Sequence, residues 1–222
     1  MSSQNSSSLV RLRAGLLGGP LFVASLLIFG SLEPGFSHFH QAVSELGAWG
    51  VRWSLCFDFF GLFLPGLLAF GVAWELRRML RQAGARARSA TGLMIWATMI
   101  ALTAVPADFE RKFDSPWTWV HAFFVLGNAL VFFAVIPGCA MSLRILGASK
   151  AATMTFVLLG YLPLAEIPLY ALLPNTPGIV QRLMILTTLL AVTWLSWVLL
   201  RLRRNQRCQE RMALSNCLLR AD

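Results

Sequence analysis

The sequence predicts an all-α integral membrane protein, a bundle of six transmembrane helices with both termini in the cytoplasm. Three observations predict this fold. Of the 222 residues, 57% are hydrophobic and only 13% are charged, against about 25% charged in soluble domains. Long stretches without Asp, Glu, Lys or Arg recur along the chain. The net charge of +9 comes from basic residues between these stretches, which indicates membrane insertion and not nucleic acid binding.

Each apolar stretch is long enough for one helix, because a helix crossing the hydrocarbon core needs about 20 mostly apolar residues. Allowing one acid inside two of the stretches gives six predicted helices, over residues 14–32, 53–76, 90–106, 116–143, 151–173 and 179–200. The first stretch is long for a signal peptide, so we predict an uncleaved helix. A disordered lead over 1–13, a six-helix domain over 14–200 and a basic cytoplasmic tail over 201–222 complete the organisation.

The distribution of basic residues predicts the orientation. With the N-terminus in the cytoplasm, 15 basic residues fall in cytoplasmic segments and four fall outside. Cytoplasmic loops of membrane proteins carry such an excess of Lys and Arg. The predicted location is a cell membrane crossed several times, the bacterial inner membrane, and the lipid bilayer is the predicted partner.

The first outer loop has a helical pattern of its own. Phe36, Phe39, Val43 and Leu46 recur at spacings of three and four, which predicts a short amphipathic helix at the interface over 37–47.

Polar residues inside the spans predict where a site would lie. Asp58, His121 and Glu166 come from three helices and reach a similar depth below the outer surface. Asn128 lies two helical turns after His121, and Arg182 lies at a comparable height in the last helix. Ionisable groups in spans are costly, face the bundle interior and mark functional sites.

The sequence therefore predicts a polar pocket that opens to the extracytoplasmic face. Candidate catalytic residues are Glu45, Asp58, Asp108, His121 and Glu166, and candidate substrate-binding residues are Ser44, Asn128 and Arg182. The structural alternative is that Asp58 or Glu166 pairs with Arg182 while His121 bonds a carbonyl group.

No metal site is predicted, because only three histidines occur and none is spaced as H-x-x-x-H or H-x-x-H. His121 and Asp108 are weak candidates for metal ligands. The four cysteines form no C-x-x-C pair, so a redox pair is not indicated. The sequence identifies no cofactor and no oligomeric state.

Several short motifs are similar to those of one family. They are Gly18-Gly-Pro-Leu-Phe22, Ser44-Glu-Leu-Gly-Ala-Trp-Gly50, Phe59-x-Gly61, and Pro106-x-Asp108 followed by His121. Over roughly residues 15–200 the chain resembles the membrane-protein family of bacteria and archaea catalogued as domain of unknown function 998. The resemblance implies a multi-helix membrane protein, and also implies that many members have Asn where this chain has Asp58. It supplies no activity, cofactor or substrate.

Three functional hypotheses follow. The predicted pocket binds or processes a lipid or small molecule, in one version as a metal-dependent hydrolase. Alternatively, the protein is a proton-responsive carrier of a small molecule that uses Glu166, or a non-catalytic structural or interaction protein of the membrane. Whether the protein is an enzyme is open at this point.

Overall fold

The computed structural model describes residues 2–111 and 114–218, and this part of the chain is all-helical. The all-α prediction is therefore confirmed for these residues. The elements are α1 Ser2–Gly15, α2 Gly18–Leu32, α3 Val43–Leu46, α4 Ser54–Phe57, a π-helical turn Asp58–Phe63, α5 Leu64–Gln82, α6 Arg88–Leu102, α7 Pro116–Ile145, α8 Lys150–Glu166, α9 Leu169–Leu172 and α10 Pro177–Leu218.

Four described helical segments are long and apolar enough to cross a membrane. They are Ser54–Gln82, Pro116–Ile145, Lys150–Leu172 and Pro177–Gln209. A fifth candidate is α1 with α2, which are bent by 44° relative to each other. These helices indicate a multi-pass membrane protein. By length and composition four or five described segments qualify as spans, and the sixth predicted span is not confirmed.

The predicted third span accounts for this difference. We predicted a helix over 90–106, but α6 ends at Leu102 and has 15 residues. At 1.5 Å per residue it reaches about 22 Å, less than the roughly 30 Å of a hydrocarbon core. The chain then turns at Thr103, whose hydroxyl donates to the Ile100 carbonyl at 2.6 Å. The apolar composition continues beyond this turn, so hydropathy alone overestimated the helix length.

The helices pack in a closed ring. In order, α1, α5, α6, α7, α8 and α10 each pack against the next, and α10 packs against α1. Exposed Phe123, Leu126 and Leu130 on α7 show that its outward face is apolar. An apolar outward face is typical of a helix that contacts lipid.

Two sets of contacts define the ends of this ring. At the arginine-rich end, formed by residues 77–88, 144–150 and 201–207, Arg203 donates to the Gln82 side chain at 2.7 Å. At the loop end, formed by residues 33–53, 103–111 and 173–176, the backbone amide of Trp49 donates to the Ala107 carbonyl at 2.9 Å. The candidate site residues of the first loop and of α7 therefore lie toward the loop end.

Residues 2–15 are helical, where the sequence predicts a disordered lead over 1–13. They form α1, and Leu12 on this helix is fully buried. The reason is an ionic cluster that the sequence did not indicate. Glu75 is completely buried, accepts from the Ser8 hydroxyl and from Arg11 Nε at 2.6 Å each, and pairs with Arg78 at 3.3 Å.

Two further boundaries differ from the prediction. In the first loop only Val43–Leu46 is helical, in place of the interfacial helix over 37–47. Val43 and Leu46 are buried among Phe22, Phe57 and Leu189, so α3 is part of the core and does not lie on the surface. In the predicted tail over 201–222, α10 continues to Leu218, and residues 219–222 lie outside the described part.

Candidate functional site

The site is built on the first loop, which folds back into the bundle at α3. Glu45 stabilises the start of α3, because its carboxylate accepts from the backbone amide of Ala42 at 2.8 Å and from the Gln41 side chain at 3.3 Å. The amide of Val43 donates to the Gln181 side chain of α10. These bonds hold the loop against α10 and place Ser44 beside it.

Two neighbouring cavities lie at this position. The outer cavity has a volume of about 550 Å³ and the inner one about 190 Å³. Both are lined by Ser44, His121, Val125 and Gln181, so they meet at these four residues. The outer cavity also contacts Glu45, Phe109 and Thr118, and the inner one contacts Asn128, Ile100, Phe132, Phe133, Tyr170 and Thr188.

His121 is the ionisable residue in the wall that the cavities share. Its Nδ1 bonds the Val105 carbonyl at 2.8 Å. A carbonyl oxygen only accepts, so Nδ1 carries the proton. Nε2 is buried and has no hydrogen-bond partner among the described residues, although the Thr103 backbone also lies near the ring. This nitrogen can accept a hydrogen bond when the ring is neutral and donate one when it is protonated.

Asn128 lies deeper on the same helix. Its carbonyl oxygen accepts from the indole N–H of Trp96 at 3.2 Å, and its amide nitrogen donates to the Val125 carbonyl at 3.2 Å. These bonds fix the side chain in the wall of the inner cavity. Of the three candidate binding residues, Ser44 and Asn128 line cavities, while Arg182 lines neither.

Asp58 lies outside both cavities. It begins the π-helical turn, is 4% exposed, and its Oδ2 has no hydrogen-bond partner among the described residues. The backbone of Gly47 packs directly against this carboxyl group, so that a Cβ atom at position 47 would overlap it.

Asp108 has a local structural role. Its carboxylate accepts from the backbone amide of Arg111 at 3.1 Å, and its carbonyl accepts from the Thr118 hydroxyl at 2.8 Å. The first bond closes the turn after α6, and the second joins this turn to the first turn of α7. Asp108 does not line the outer cavity, whereas Thr118 does.

Glu166 and Arg182 also lie apart from the cavities, and they do not form an ion pair with each other. Glu166 is 8% exposed and accepts one long hydrogen bond, from the Thr187 hydroxyl at 3.4 Å. Arg182 donates to the Gln41 carbonyl at 2.7 Å and lies over the Phe36 ring. The ion pair of Asp58 or Glu166 with Arg182, one part of the structural alternative, is therefore absent from the described contacts. The other part is observed, since His121 bonds the Val105 carbonyl.

His38 is the ionisable group outside the spans that Arg182 affects. Partial burial and the positive charge of Arg182 lower the pKa of His38 below its ordinary value. The imidazole is therefore neutral over a wider range of pH than that of a free histidine. It lines a separate apolar cavity with Phe22, Phe39 and Leu186.

The five candidate catalytic residues thus do not converge. Glu45 and His121 line the outer cavity, and Asp58, Asp108 and Glu166 lie elsewhere. In residues 2–111 and 114–218, no group of three or more His, Cys, Asp or Glu side chains is placed to hold a metal ion. Acids at equal depth on different helices need not face one centre, and depth was the criterion that the sequence supplied.

Sequence reasoning missed several polar residues of the cavities, among them Gln181 and Thr118. Gln181 immediately precedes Arg182 in an apolar stretch. A polar but uncharged side chain in such a stretch is the signal that could have identified it. Its carbonyl oxygen fixes α3, so Gln181 positions the loop as well as lining both cavities.

The comparisons with known proteins identify one family and add no activity. Residues 16–198 match the family described as "Protein of unknown function (DUF998)". Neither a curated protein nor a solved structure shows a significant match to the chain.

Proposed function

Because this chain belongs to the DUF998 family, whose description assigns no activity, we propose its function from the geometry of the site: the protein binds a lipid or a similar amphiphilic molecule in the paired cavities. We also propose six crossings, with both termini in the cytoplasm and the cavities toward the outside of a bacterial inner membrane. The contact between Ala107 and Trp49 supports a crossing by residues 88–107, since it brings the chain after α6 to the loop end.

The observation that carries the proposal is the buried Nε2 of His121, which has no hydrogen-bond partner among the described residues and lies in the wall common to both cavities. A buried polar atom without a partner costs free energy. A ligand that supplies a hydroxyl, amide or phosphate group at this point would satisfy the nitrogen. Ser44 and Gln181 stand beside it and add further polar contacts.

The distribution of polar and apolar walls favours an amphiphile. Glu45, Ser44 and Thr118 are the polar residues among the mainly apolar walls of the outer cavity. The inner cavity is lined by Ile100, Phe132 and Phe133 and by a few polar residues such as Asn128. Ligand sites are typically apolar with a few convergent polar groups. A head group would occupy the outer cavity, and the beginning of an acyl or isoprenoid chain would enter the inner one.

Filling the inner cavity tests the proposal. Ala129 lines this cavity, while Ala134 lies on the exposed face of the same helix. We expect Ala129→Phe to abolish retention of lipid by protein purified in mild detergent, and Ala134→Phe to preserve it. Mass spectrometry of the extracted lipid gives the amount bound per protein.

A variant of the polar contact provides a second measurement. Loss of one hydrogen bond of about 1 kcal/mol weakens binding about fivefold, so His121→Ala should retain about one fifth of the bound lipid at subsaturating supply. Equal lipid content in the wild type, Ala129→Phe and Ala134→Phe would contradict the proposal and favour a structural role for the polar residues.

A further inference from the structure

A separate cavity lies at the arginine-rich end, between the start of α8 and the middle of α10. Its volume is about 450 Å³. Ser149, Thr155, Trp194, Trp197, Arg201 and Asn205 are among the residues that line it. None of these residues belongs to the paired cavities at the loop end.

Two tryptophans form a fixed wall of this cavity. The Trp194 and Trp197 rings stack with their centroids 4.7 Å apart. The indole N–H of Trp194 donates to the Ala152 carbonyl of α8 at 2.9 Å. The bond joins α8 to α10 and holds the aromatic wall in one orientation. Tryptophan is enriched at the membrane–water interface, where its amphipathic ring lies at the level of lipid head groups.

Arg201 supplies the charge. Its guanidinium group lies over the Trp197 ring, 3.9 Å from the centroid, within the range of a cation–π contact. Arg201 is exposed, and its guanidinium group has no hydrogen bond or ion pair with another described residue. The aromatic ring thus orients a planar, always charged donor whose N–H groups remain available, and this donor geometry suits phosphate oxygens.

The surrounding charge is of one sign. The residues that line the cavity lie within 147–155 and 194–205. With the residues directly before and after them, 144–155 and 194–207, these segments contain six basic residues and no acid. They are Arg144, Lys150, Arg201, Arg203, Arg204 and Arg207. Of these, Arg144 donates to the Ala148 carbonyl at 2.6 Å and Arg203 contacts Gln82. The field at the cavity therefore favours an anion.

We infer that this cavity binds one anionic phospholipid, with the phosphate on Arg201 and the start of an acyl chain along Trp194 and Val198. Two features favour a lipid over a free phosphate ion. The lining includes apolar Val198 and Leu202, which can contact an acyl chain but form no hydrogen bond with a phosphate ion. The cavity is also open, and it lies where α8 and α10, two membrane-spanning candidates, meet the basic segments.

The test compares two arginines that differ in position and not in charge. Arg204 is exposed, carries the same charge three residues later, and does not line the cavity. We expect Arg201→Gln to weaken binding of phosphatidylglycerol about tenfold, as loss of a hydrogen bond to a charged group does. Arg204→Gln should leave the affinity unchanged within about twofold when salt at about 1 M shortens the Debye length to about 3 Å.

The measurement is a titration of full-length protein in detergent with phosphatidylglycerol, followed by native mass spectrometry, and parallel titrations with phosphatidylcholine and inorganic phosphate. Wild type should prefer phosphatidylglycerol, and inorganic phosphate should not displace it. Equal losses in Arg201→Gln and Arg204→Gln would overturn the site in favour of diffuse surface attraction. Displacement by inorganic phosphate would overturn the assignment to lipid.

A second variant, Trp197→Leu, removes the ring beneath Arg201 and should also weaken binding of phosphatidylglycerol.

Discussion

A carboxyl group packed against a glycine at the loop end makes two distant residues interdependent. Asp58 is buried at the π-helical turn, and Gly47 follows α3 in the first loop. A Cβ atom added at Gly47 would overlap Asp58 Oδ1 and lie 2.9 Å from its Cγ. The aspartate side chain is short, so it has little room to move away. Glycine at position 47 is therefore required by a close approach.

We predict that Gly47→Ala destabilises the protein by about 1–3 kcal/mol, the usual cost of adding a carbon atom to a packed interior. Thermal unfolding in detergent, followed by circular dichroism, measures the loss. The change should be much smaller in the background of Asp58→Ala, because the smaller side chain leaves room for the new methyl group. Equal losses in the two backgrounds would show that the contact is not the cause.

The sequence identifies Asp58 as an unusual residue but not its neighbour. An acid inside an apolar stretch is visible without a structure. The contact with Gly47 depends on how the first loop folds back, and that fold depends on bonds from Glu45 and Gln181. The same reason explains the cavities: Glu45, His121, Ser44 and Asn128 were predicted, whereas the wall formed with Gln181 requires the tertiary arrangement.

At the scale of elements, a glycine sets the distance between α5 and α6. Gly66 is buried, and a Cβ atom there would lie 2.6 Å from the backbone nitrogen of Ala101 and 2.9 Å from its Cα. Backbone atoms cannot rotate away as a side chain does. Small residues at a helix interface allow such a close approach in membranes.

A second glycine of α5 gives a matched comparison. At Gly71 an added Cβ would lie 3.9 Å from the Arg11 side chain, an ordinary contact. Alanine in place of helical glycine gains about 1 kcal/mol in either position. We predict that Gly71→Ala stabilises the protein by about this amount. Gly66→Ala should destabilise it by up to about 2 kcal/mol, the net of this gain and a packing loss of about 1–3 kcal/mol. The melting temperatures of both variants and the wild type, measured in one detergent, test this prediction. A higher melting temperature than wild type for both variants would contradict the close packing at Gly66.

Element types were easier to predict than element ends. Hydropathy located the segments of α2, α5, α7, α8 and α10, because each contains a long run of apolar residues. It could not predict that α6 stops at Leu102, since the turn that follows is as apolar as the helix. It also could not predict that α1 is ordered, because the anchoring partner, Glu75, lies 64 residues from Arg11.

At the scale of the whole molecule, the basic residues divide the ring into two unlike ends. Glu75 binds Arg11, and Gln82 binds Arg203. These contacts bring the N-terminal helix, the end of α5 and the basic part of α10 to one end. At the other end, the His40 ring contacts the carbonyl of Asn175 and Trp49 contacts Ala107. These contacts support the even number of crossings that we propose.

The segment around α6 decides between the proposed six crossings and a smaller number. Ala83 lies before α6 and Glu110 after it, and both are exposed. Since α6 alone covers about 22 Å, the crossing would need the apolar turn that follows. The excess of basic residues before α6 predicts that Ala83 is cytoplasmic. Glu110 should then be outside.

Labelling with a membrane-impermeant maleimide tests this arrangement. In a chain whose four native cysteines are replaced, single cysteines are introduced by Ala83→Cys and Glu110→Cys, and a third chain retains Cys208, which is exposed on α10. We expect intact cells to label only the position 110 variant, and permeabilised cells to label all three. Labelling of positions 83 and 110 from the same side would show that α6 does not cross. Labelling of positions 83 and 208 from opposite sides would contradict the common arginine-rich end.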